Sequence, residues 1–337
     1  MSGSLVNPGR EHAGDPMRIA VLDDYQRRAP GLADWDSLGP GVEIDFYDAP
    51  IPPSRLAEML GGYDGLVLMR ERTPFPRSVL EQLPKLILLV TTGMRNAAVD
   101  IAYLNERGTV VSGTGIGPHS PTTGVPTTVE VAWALILALY KRVSIEDQAL
   151  RHGTWQLGLP RSLAGATLGL AGLGRLGAAM VPPARVFGMN VIAWSENLTE
   201  ARAAGVGVRR VSKSQLLAQS DVLSIHLILS DRTRGLFGSE ELAQMLPSAV
   251  LVNTSRGPIV DEQALIAALR AGRLAGAGLD VFDQEPLPAD HELLSLRNAV
   301  LLPHLGYVDE NTFRDMYSQA VEDIAAFLSG KPIRRLT

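Results

Sequence analysis

At 337 residues the chain is long enough for two domains, each with its own core. Hydrophobic residues make up 46% and charged residues 20%, and the net charge of −5 gives neither a basic footprint for nucleic acid nor a cationic face for a membrane. The absence of cysteine excludes disulfides, thiolate metal ligands and thiol catalysis.

Residues 1–16 are polar and rich in Gly and Pro, without the apolar core of a signal peptide, and are expected to form a flexible leader. The longest apolar run, Val131 to Tyr140, is too short to cross a bilayer, so a soluble, cytoplasmic protein is expected. From Met17 onward short β-branched runs alternate with helical patterns, the signature of βαβ units and parallel sheets. Strands are predicted at 18–22, 42–47, 65–69, 86–90 and 109–111, with helical stretches such as 53–60 between them. They make a first α/β domain, 17–113. Residues 113–126 are crowded with Gly, Pro, Ser and Thr and are expected to be a crossing loop, a hinge and cleft wall. A helix is then predicted from Thr127, whose spacing to Glu130 fits a capping box, to about His152.

A second series follows, with strands predicted at 167–171, 190–194, 221–227, 249–253, 277–280 and 299–302. Asn197 and Glu200 again have capping-box spacing, which predicts a helix starting just after Glu196. A last amphipathic helix is predicted at about 310–328. No sequence repeat is visible.

Between the first two strands of this series lies Gly172-Leu173-Gly174-Arg175-Leu176-Gly177. Gly-x-Gly-x-x-Gly is weak by itself, but here it follows a predicted strand and opens a predicted helix. The first glycine permits a tight turn and the second lets the backbone approach a pyrophosphate. The third lets helix and strand pack closely. The helix N-terminus then offers unpaired N–H groups to the phosphates. The competing reading is a tight turn without a ligand. An acidic residue at the end of the next strand would take the ribose 2′-OH of NAD. There the chain has Trp194-Ser195-Glu196, with serine in the expected aspartate position. Glu196 supplies the carboxylate or merely starts the next helix, and both readings stay open. No arginine follows at once to receive a 2′-phosphate, which favours NAD while leaving NADP possible.

Three later segments carry polar groups to predicted strand ends, where open α/β sheets place ligands. In Asn253-Thr254-Ser255-Arg256-Gly257, Arg256 can fork onto a carboxylate and polarise the neighbouring carbonyl, or can be a surface ion pair. Asp280 and Glu285 lie in Gly278-Leu279-Asp280-Val281-Phe282-Asp283-Gln284-Glu285-Pro286, which also reads as a solvated acidic loop. His304 lies in Leu302-Pro303-His304-Leu305-Gly306, where a lone histidine is usually structural. A cation, a carboxylate and an imidazole are nevertheless the groups that moving a hydride to or from a small keto or hydroxy acid requires.

The order and spacing of these segments, from Met17 to the C-terminus, resemble the D-isomer-specific 2-hydroxyacid dehydrogenase family. The carriers are Gly172–Gly177, Asn253–Gly257, Gly276–Pro286 and Pro303–Gly306, supported by Ser224-Ile225-His226-Leu227 and the stretch 242–269. The resemblance implies two Rossmann-like, doubly wound parallel-sheet α/β domains with a cleft between them. Residues 17–113 and 307–337 would form the substrate domain and 114–306 the dinucleotide domain. It implies hydride transfer between NAD(P) and a 2-keto or 2-hydroxy acid, with glyoxylate or hydroxypyruvate a reasonable substrate. Arg256 would bind the substrate carboxylate and carbonyl, His304 would be the acid/base, and Glu285 would fix the imidazole tautomer. Asp280 would hold the nicotinamide carboxamide. Cofactor contacts would thus come from Gly172, Gly174, Arg175, Leu176, Gly177, Ser195, Glu196, His226, Thr254 and Asp280. No metal is implied, and the family's usual homodimer, formed through the cofactor domain, is expected.

The substrate loop departs from the family pattern Gly-x-Gly-x-Asp-x-x-Asp. It reads Gly93-Met94-Arg95-Asn96-Ala97-Ala98-Val99-Asp100, with Arg95 in place of a glycine and Ala97 in place of an aspartate. Backbone N–H groups of Met94 and Arg95 would face the substrate carboxylate, with the Arg95 side chain either a second cation or directed outward. Glu285 argues against formate oxidation, whose enzymes pair glutamine with the histidine. Met94 argues against phosphite oxidation, which uses a lysine there. Without a regulatory domain after the last helix, the long phosphoglycerate dehydrogenases fit less well. Two other readings stay open: a nucleotide-sensing binding protein or corepressor on the same fold, and a dehydrogenase of the alanine or adenosylhomocysteine kind, whose motifs are missing.

Overall fold

A computed structural model describes residues 15–115, 117–119 and 124–337. All but the last two residues of the expected leader, and part of the expected crossing loop, lie outside the described residues. The chain forms two compact units, Met1–Thr122 with Asp309–Thr337, and Thr123–Val308.

The first unit holds β1 (Met17–Val21), β2 (Val42–Phe46), β3 (Gly65–Leu68), β4 (Leu88–Thr91) and β5 (Val110–Gly113) in the order β2-β1-β3-β4-β5. All neighbours are parallel. Every residue of β3 and β4 is buried, as expected for central strands covered on both faces. Leu22, Leu56, Leu66, Leu80, Leu89 and Leu104 fill the core. The stretch expected to be one helix at 53–60 is a 3-10 turn, Pro53–Arg55, followed by the α-helix Leu56–Leu60. The last helix, Glu310–Leu328, has its predicted bounds; the Asp309 side chain caps it by accepting from the Asn311 and Thr312 N–H groups.

After this helix the tail turns back along β5. The Gly113 N–H donates to the Arg334 carbonyl at 3.0 Å and the Leu336 N–H to the Val111 carbonyl at 2.9 Å. An antiparallel bridge between Ser112 and Arg335 completes the contact and covers a sheet edge that would otherwise be open. The first unit also runs past the expected break at Gly113. The Gly115 N–H donates to Gln319 Oε1 at 2.7 Å and the His119 N–H to Asp315 Oδ1 at 2.9 Å, which ties this stretch to the last helix.

The second unit holds β6 (Thr167–Ala171), β7 (Asn190–Trp194), β8 (Arg209–Arg210), β9 (Val222–Ile225), β10 (Val250–Asn253), β11 (Gly276–Leu279) and β12 (Ala299–Leu301). Their order is β12-β11-β10-β9-β6-β7-β8, again parallel throughout. Successive strands run one way from β6 to β8 and the other way from β9 to β12. The order therefore reverses between β6 and β9, the switch point at which doubly wound sheets bind ligands. Both sheets give the expected α/β class. The two-residue strand β8 was not foreseen, because two exposed arginines carry no apolar alternation.

In the second unit three expected helices differ from those observed. The helix from Thr127 ends at Lys141, and a second runs from Val143 to Arg151. Arg142 between them has φ 58°, a left-handed conformation that stops the first helix. Pro126 is the N-cap and Thr127 the first helical residue, so the capping box expected at Thr127 is not formed. The helix expected just after Glu196 starts at Glu200, because the Thr199 side chain, not Asn197, accepts from the Arg202 N–H. The helix after the glycine turn is likewise two pieces, Arg175–Ala179 and Val181–Val186, the second with proline in its first turn. Among the described residues no helix is long and apolar enough to cross a membrane.

Candidate active site

The glycine turn sits at the C-terminal end of β6, on the switch point. Gly172 has φ 101°, and a Cβ there would lie 2.5 Å from the His226 carbonyl oxygen. A Cβ on Gly177 would lie 2.1 Å from the Gly172 carbonyl oxygen. Neither position admits a side chain. At Gly174 an added Cβ would meet nothing within 4 Å, so this residue faces open space at the start of the helix Arg175–Ala179. Room beside the middle glycine and none beside the outer two is the arrangement a pyrophosphate needs. Leu176 is half-buried in that helix, and the Arg175 side chain is exposed at its first turn.

Two orphaned polar atoms add to the fit. His226 follows β9; its Nε2 lies 2.9 Å from Ser224 Oγ, whereas the buried Nδ1 has no hydrogen-bond partner among the described residues. Burial pushes this imidazole down to about 4, so it is neutral at pH 7. Thr254 follows β10, and its buried hydroxyl also has no partner among the described residues. Buried polar groups are rarely left unpaired, and both of these suit a polar cofactor. Ser195 begins the loop after β7, directly behind Trp194, whose carbonyl accepts the Gly172 N–H at 2.8 Å. Ser195 is half-buried and Glu196 exposed. With Thr199 capping the helix, Glu196 is not its starter.

The other polar residues follow three adjacent strands. In register, Asn253 of β10 pairs with Leu279 of β11, and Leu279 with Leu301 of β12. Arg256, Asp280, Glu285 and His304 thus leave the same edge of the sheet from neighbouring strands, which lie about 4.8 Å apart. Glycine holds the first two loops together: a Cβ on Gly257 would fall 2.1 Å from the Phe282 carbonyl carbon. Asn253 braces the Arg256 loop by donating from Nδ2 to the Arg256 carbonyl and accepting the Ser255 N–H. Arg256 Nη1 donates to the Ser255 carbonyl at 2.8 Å.

His304 Nδ1 lies 2.6 Å from Glu285 Oε2, and Glu285 Oε1 accepts the Phe282 N–H at 3.0 Å. Burial pushes the Glu285 carboxyl up, but its hydrogen bond to His304, the His304 charge, the Phe282 N–H and the Arg256 charge together hold it below the usual carboxylate value. It is therefore an anion facing Nδ1, which leaves Nε2 to act on a ligand. His304 itself has φ 55°, and strain of this kind on a non-glycine residue persists only where its surroundings hold it.

Here the clamp is visible. Asp280, fully buried, accepts the Leu305 N–H through Oδ1 at 2.7 Å and the Gly306 N–H through Oδ2 at 2.8 Å. Thr128 Oγ1 donates to the Gly306 carbonyl at 2.6 Å. Burial raises the Asp280 carboxyl to about 6 against the pull of the two N–H groups. Asp280, expected to hold the nicotinamide carboxamide, thus has both oxygens engaged in fixing the turn that carries His304. The His304 ring also meets Tyr307 edge-on, with centroids 5.2 Å apart.

Met94 and Arg95 belong to the first unit, after β4. Both side chains are exposed, Met94 by 46%, and among the described residues no acceptor takes either backbone N–H. The loop is built by residues outside the expected site. Buried Asn96 donates to the Arg70 carbonyl at 2.7 Å and to Thr91 Oγ1 at 2.9 Å, and it accepts the Ala98 N–H. Arg70, with φ 54°, lies so close to Gly93 that a Cβ there would fall 2.3 Å from Nη1. Its position just past the end of β3 was the available signal, since ligands gather at such ends.

Parallel sheets, a glycine turn at the switch point and a carboxylate–imidazole pair beside an arginine define a nucleotide-dependent oxidoreductase. The comparisons make this specific. The family model described as D-isomer specific 2-hydroxyacid dehydrogenase, NAD binding domain, matches residues 133–306. A glyoxylate reductase of Korarchaeum cryptofilum is 36% identical over 297 residues, covering 86% of this chain and 87% of the relative. A hydroxypyruvate reductase of Blautia hydrogenotrophica is 31% identical, with 94% and 98% covered. Among solved structures, a phosphoglycerate oxidoreductase of Vibrio cholerae superposes with a TM-score of 0.85 at 34% identity, covering 93% of this chain and 99% of that one. The chain belongs to the D-isomer-specific 2-hydroxyacid dehydrogenases. It is an NAD-dependent oxidoreductase acting on small 2-hydroxy or 2-keto acids.

Proposed function

We propose that the enzyme works as a reductase of glyoxylate or hydroxypyruvate, with Arg256, Glu285 and His304 as its catalytic residues. The observation that carries the assignment of roles is the 2.6 Å contact between His304 Nδ1 and the ionised Glu285. NADH, when bound, would supply the hydride. His304 Nε2 gives the proton to the C2 oxygen, and Glu285 stabilises the imidazolium that must form first. Arg256 grips the carboxylate and polarises the carbonyl, and Asp280 keeps the His304 turn in place. In the first unit, the loop of Met94 and Arg95 offers its backbone N–H groups to a substrate carboxylate, with the Arg95 side chain exposed and Arg70 bracing the loop. Gly172, Gly174, Arg175, Leu176 and Gly177 hold the pyrophosphate, and Ser195 and Glu196 the ribose. His226 and Thr254 offer their unpaired atoms to the cofactor. The substrate choice rests on the relatives named glyoxylate and hydroxypyruvate reductases. NADH oxidation measured against a panel of 2-keto acids tests it. Highest kcat/KM for these two acids supports the proposal, and NADH binding without any turnover overturns it.

Cofactor preference gives a second test. Ser195 and Glu196 can accept from ribose hydroxyls, and Glu196 opposes a 2′-phosphate. Arg202, on the helix Glu200–Gly205, is exposed. NADH should be preferred to NADPH by about tenfold in kcat/KM, or roughly 1.4 kcal/mol. A preference for NADPH would show a cation at the ribose that this assignment lacks.

A homodimer in the cytoplasm belongs to the same proposal. Val143, Leu150, Trp155, Leu157 and Leu159 are all exposed in one stretch of the second unit, Trp155 by 75% and Leu159 by 95%. Apolar side chains gathered this way mark an interaction surface. Light scattering should give a dimer for the native chain and a monomer for Trp155→Asp combined with Leu159→Asp. A native monomer at micromolar concentration would refute the dimer.

A further inference from the structure

The second unit has a cavity of about 190 Å3 at the opposite edge of its sheet from His304. It lies against the N-terminal ends of three strands: Val250 at the start of β10, Ala275 just before β11, and Ala299 and Val300 in β12. A strand of four residues spans about 13 Å. A ligand here is therefore out of reach of the reacting atoms.

Its lining has a clear chemical bias. Arg142, Arg161 and Arg297 line it, and among the described residues no carboxylate does. Leu139, Ile145 and Val300 give it apolar walls. Two of the arginines already have partners: Arg142 Nε lies 3.2 Å from Glu146 Oε1, and Arg161 Nη2 lies 3.4 Å from Asp221 Oδ1. A guanidinium has five N–H donors, so each pairing leaves others to give.

An independent observation points the same way. Tyr140 lines the cavity and is only 2% exposed, yet its buried hydroxyl has no hydrogen-bond partner among the described residues. The Arg161 guanidinium stacks on the Tyr140 ring, 4.6 Å from its centroid, so the phenol is held in position. Burial raises the phenol above its ordinary value, which keeps it a donor. An unpaired buried hydroxyl costs about 1–3 kcal/mol, and an acceptor that reached it from the cavity would remove that cost. Arg142 adds to the case. Its left-handed backbone is the conformation in which helices normally end on glycine, and a side chain there costs roughly 1–2 kcal/mol.

We propose that this cavity is an accessory binding site for a small carboxylate with an apolar body. Arg142, Arg161 and Arg297 hold the carboxylate, the Tyr140 hydroxyl donates to it, and the apolar walls take the ring or alkyl part. The size suits a single ring, since a cavity of about 150 Å3 accommodates benzene.

Benzoate is the probe, titrated by calorimetry into the NADH-saturated enzyme. The active site also recognises carboxylates, so the titration is made on the native chain and on Arg256→Ala. Saturable binding should survive Arg256→Ala and weaken about tenfold or more in Arg142→Gly, which removes a charged donor at a position glycine suits. Tyr140→Phe should weaken it severalfold, and Arg142→Gly should leave KM for the keto acid unchanged. Binding lost in Arg256→Ala, or unaltered in Arg142→Gly, would overturn the proposal. Leu159 belongs both to the cavity lining and to the exposed apolar stretch. If a second copy of the chain fills the cavity, no saturable benzoate binding appears in Arg256→Ala, and the site is refuted.

Discussion

His304→Ala should lower turnover about a hundredfold or more, the usual contribution of a positioned general acid, with NADH affinity little changed. His304 Nδ1 is occupied by Glu285, so Nε2 is the atom left for the substrate oxygen. Alanine leaves nothing in its place. Reduction of a keto acid consumes the proton of the imidazolium, so its rate should fall as pH rises. Oxidation of the hydroxy acid needs the neutral ring and should rise over the same range. Glu285, held below the ordinary carboxylate value, stays an anion throughout and does not blur the profile. Glu285→Gln keeps an acceptor near Nδ1 but removes the charge that supports the imidazolium, so the loss of reduction should move to lower pH. Parallel pH trends in the two directions, or near-native turnover in His304→Ala, would remove His304 from the mechanism.

What the sequence made legible follows from range. β6, β7 and the helix Glu310–Leu328 appear at their predicted bounds because a buried apolar run, a glycine turn and a capping Asp309 lie within a few residues of one another. The motifs at the ends of β10, β11 and β12 were visible for the same reason. Local patterns could not show that Arg142 stops a helix, since arginine is a good helix former and no glycine marks the break. Nor could they show Thr199 displacing Asn197 as a cap, because both residues are good caps and only the chain path chooses. The Asp280 clamp joins residues 25 and 26 positions apart, and the tail on β5 joins Leu336 to Val111. Such pairings leave no periodic trace. The brace of Asn96 and Arg70 under the substrate loop was hidden likewise, and Arg70 was detectable only by its place beyond a strand end.

Arg256→Lys should fail although it keeps the charge, with kcat/KM falling about tenfold to a hundredfold, or roughly 1.4–2.8 kcal/mol. The Arg256 loop is braced: the Asn253 side chain bonds it at Ser255 and Arg256, and Gly257 seats it against the Phe282–Asp283 peptide. Arg256 Nη1 is drawn onto the Ser255 carbonyl, which fixes the plane of the guanidinium. A planar fork so held presents two parallel donors, one for a carboxylate oxygen and one for the adjacent carbonyl. Lysine is a single rotating ammonium that cannot serve both oxygens in one geometry, and it has no second nitrogen to leave on Ser255. In the role proposed for Arg256, the carboxylate contact would be made in the ground state, whereas the carbonyl contact would strengthen as charge builds on that oxygen. Loss of the first raises KM, and loss of the second lowers kcat. Both should therefore change in Arg256→Lys when measured by steady-state kinetics with glyoxylate. A rise in KM alone would confine Arg256 to the carboxylate. Retention of most of the native kcat/KM would mean that the substrate is not held by Arg256 in this way.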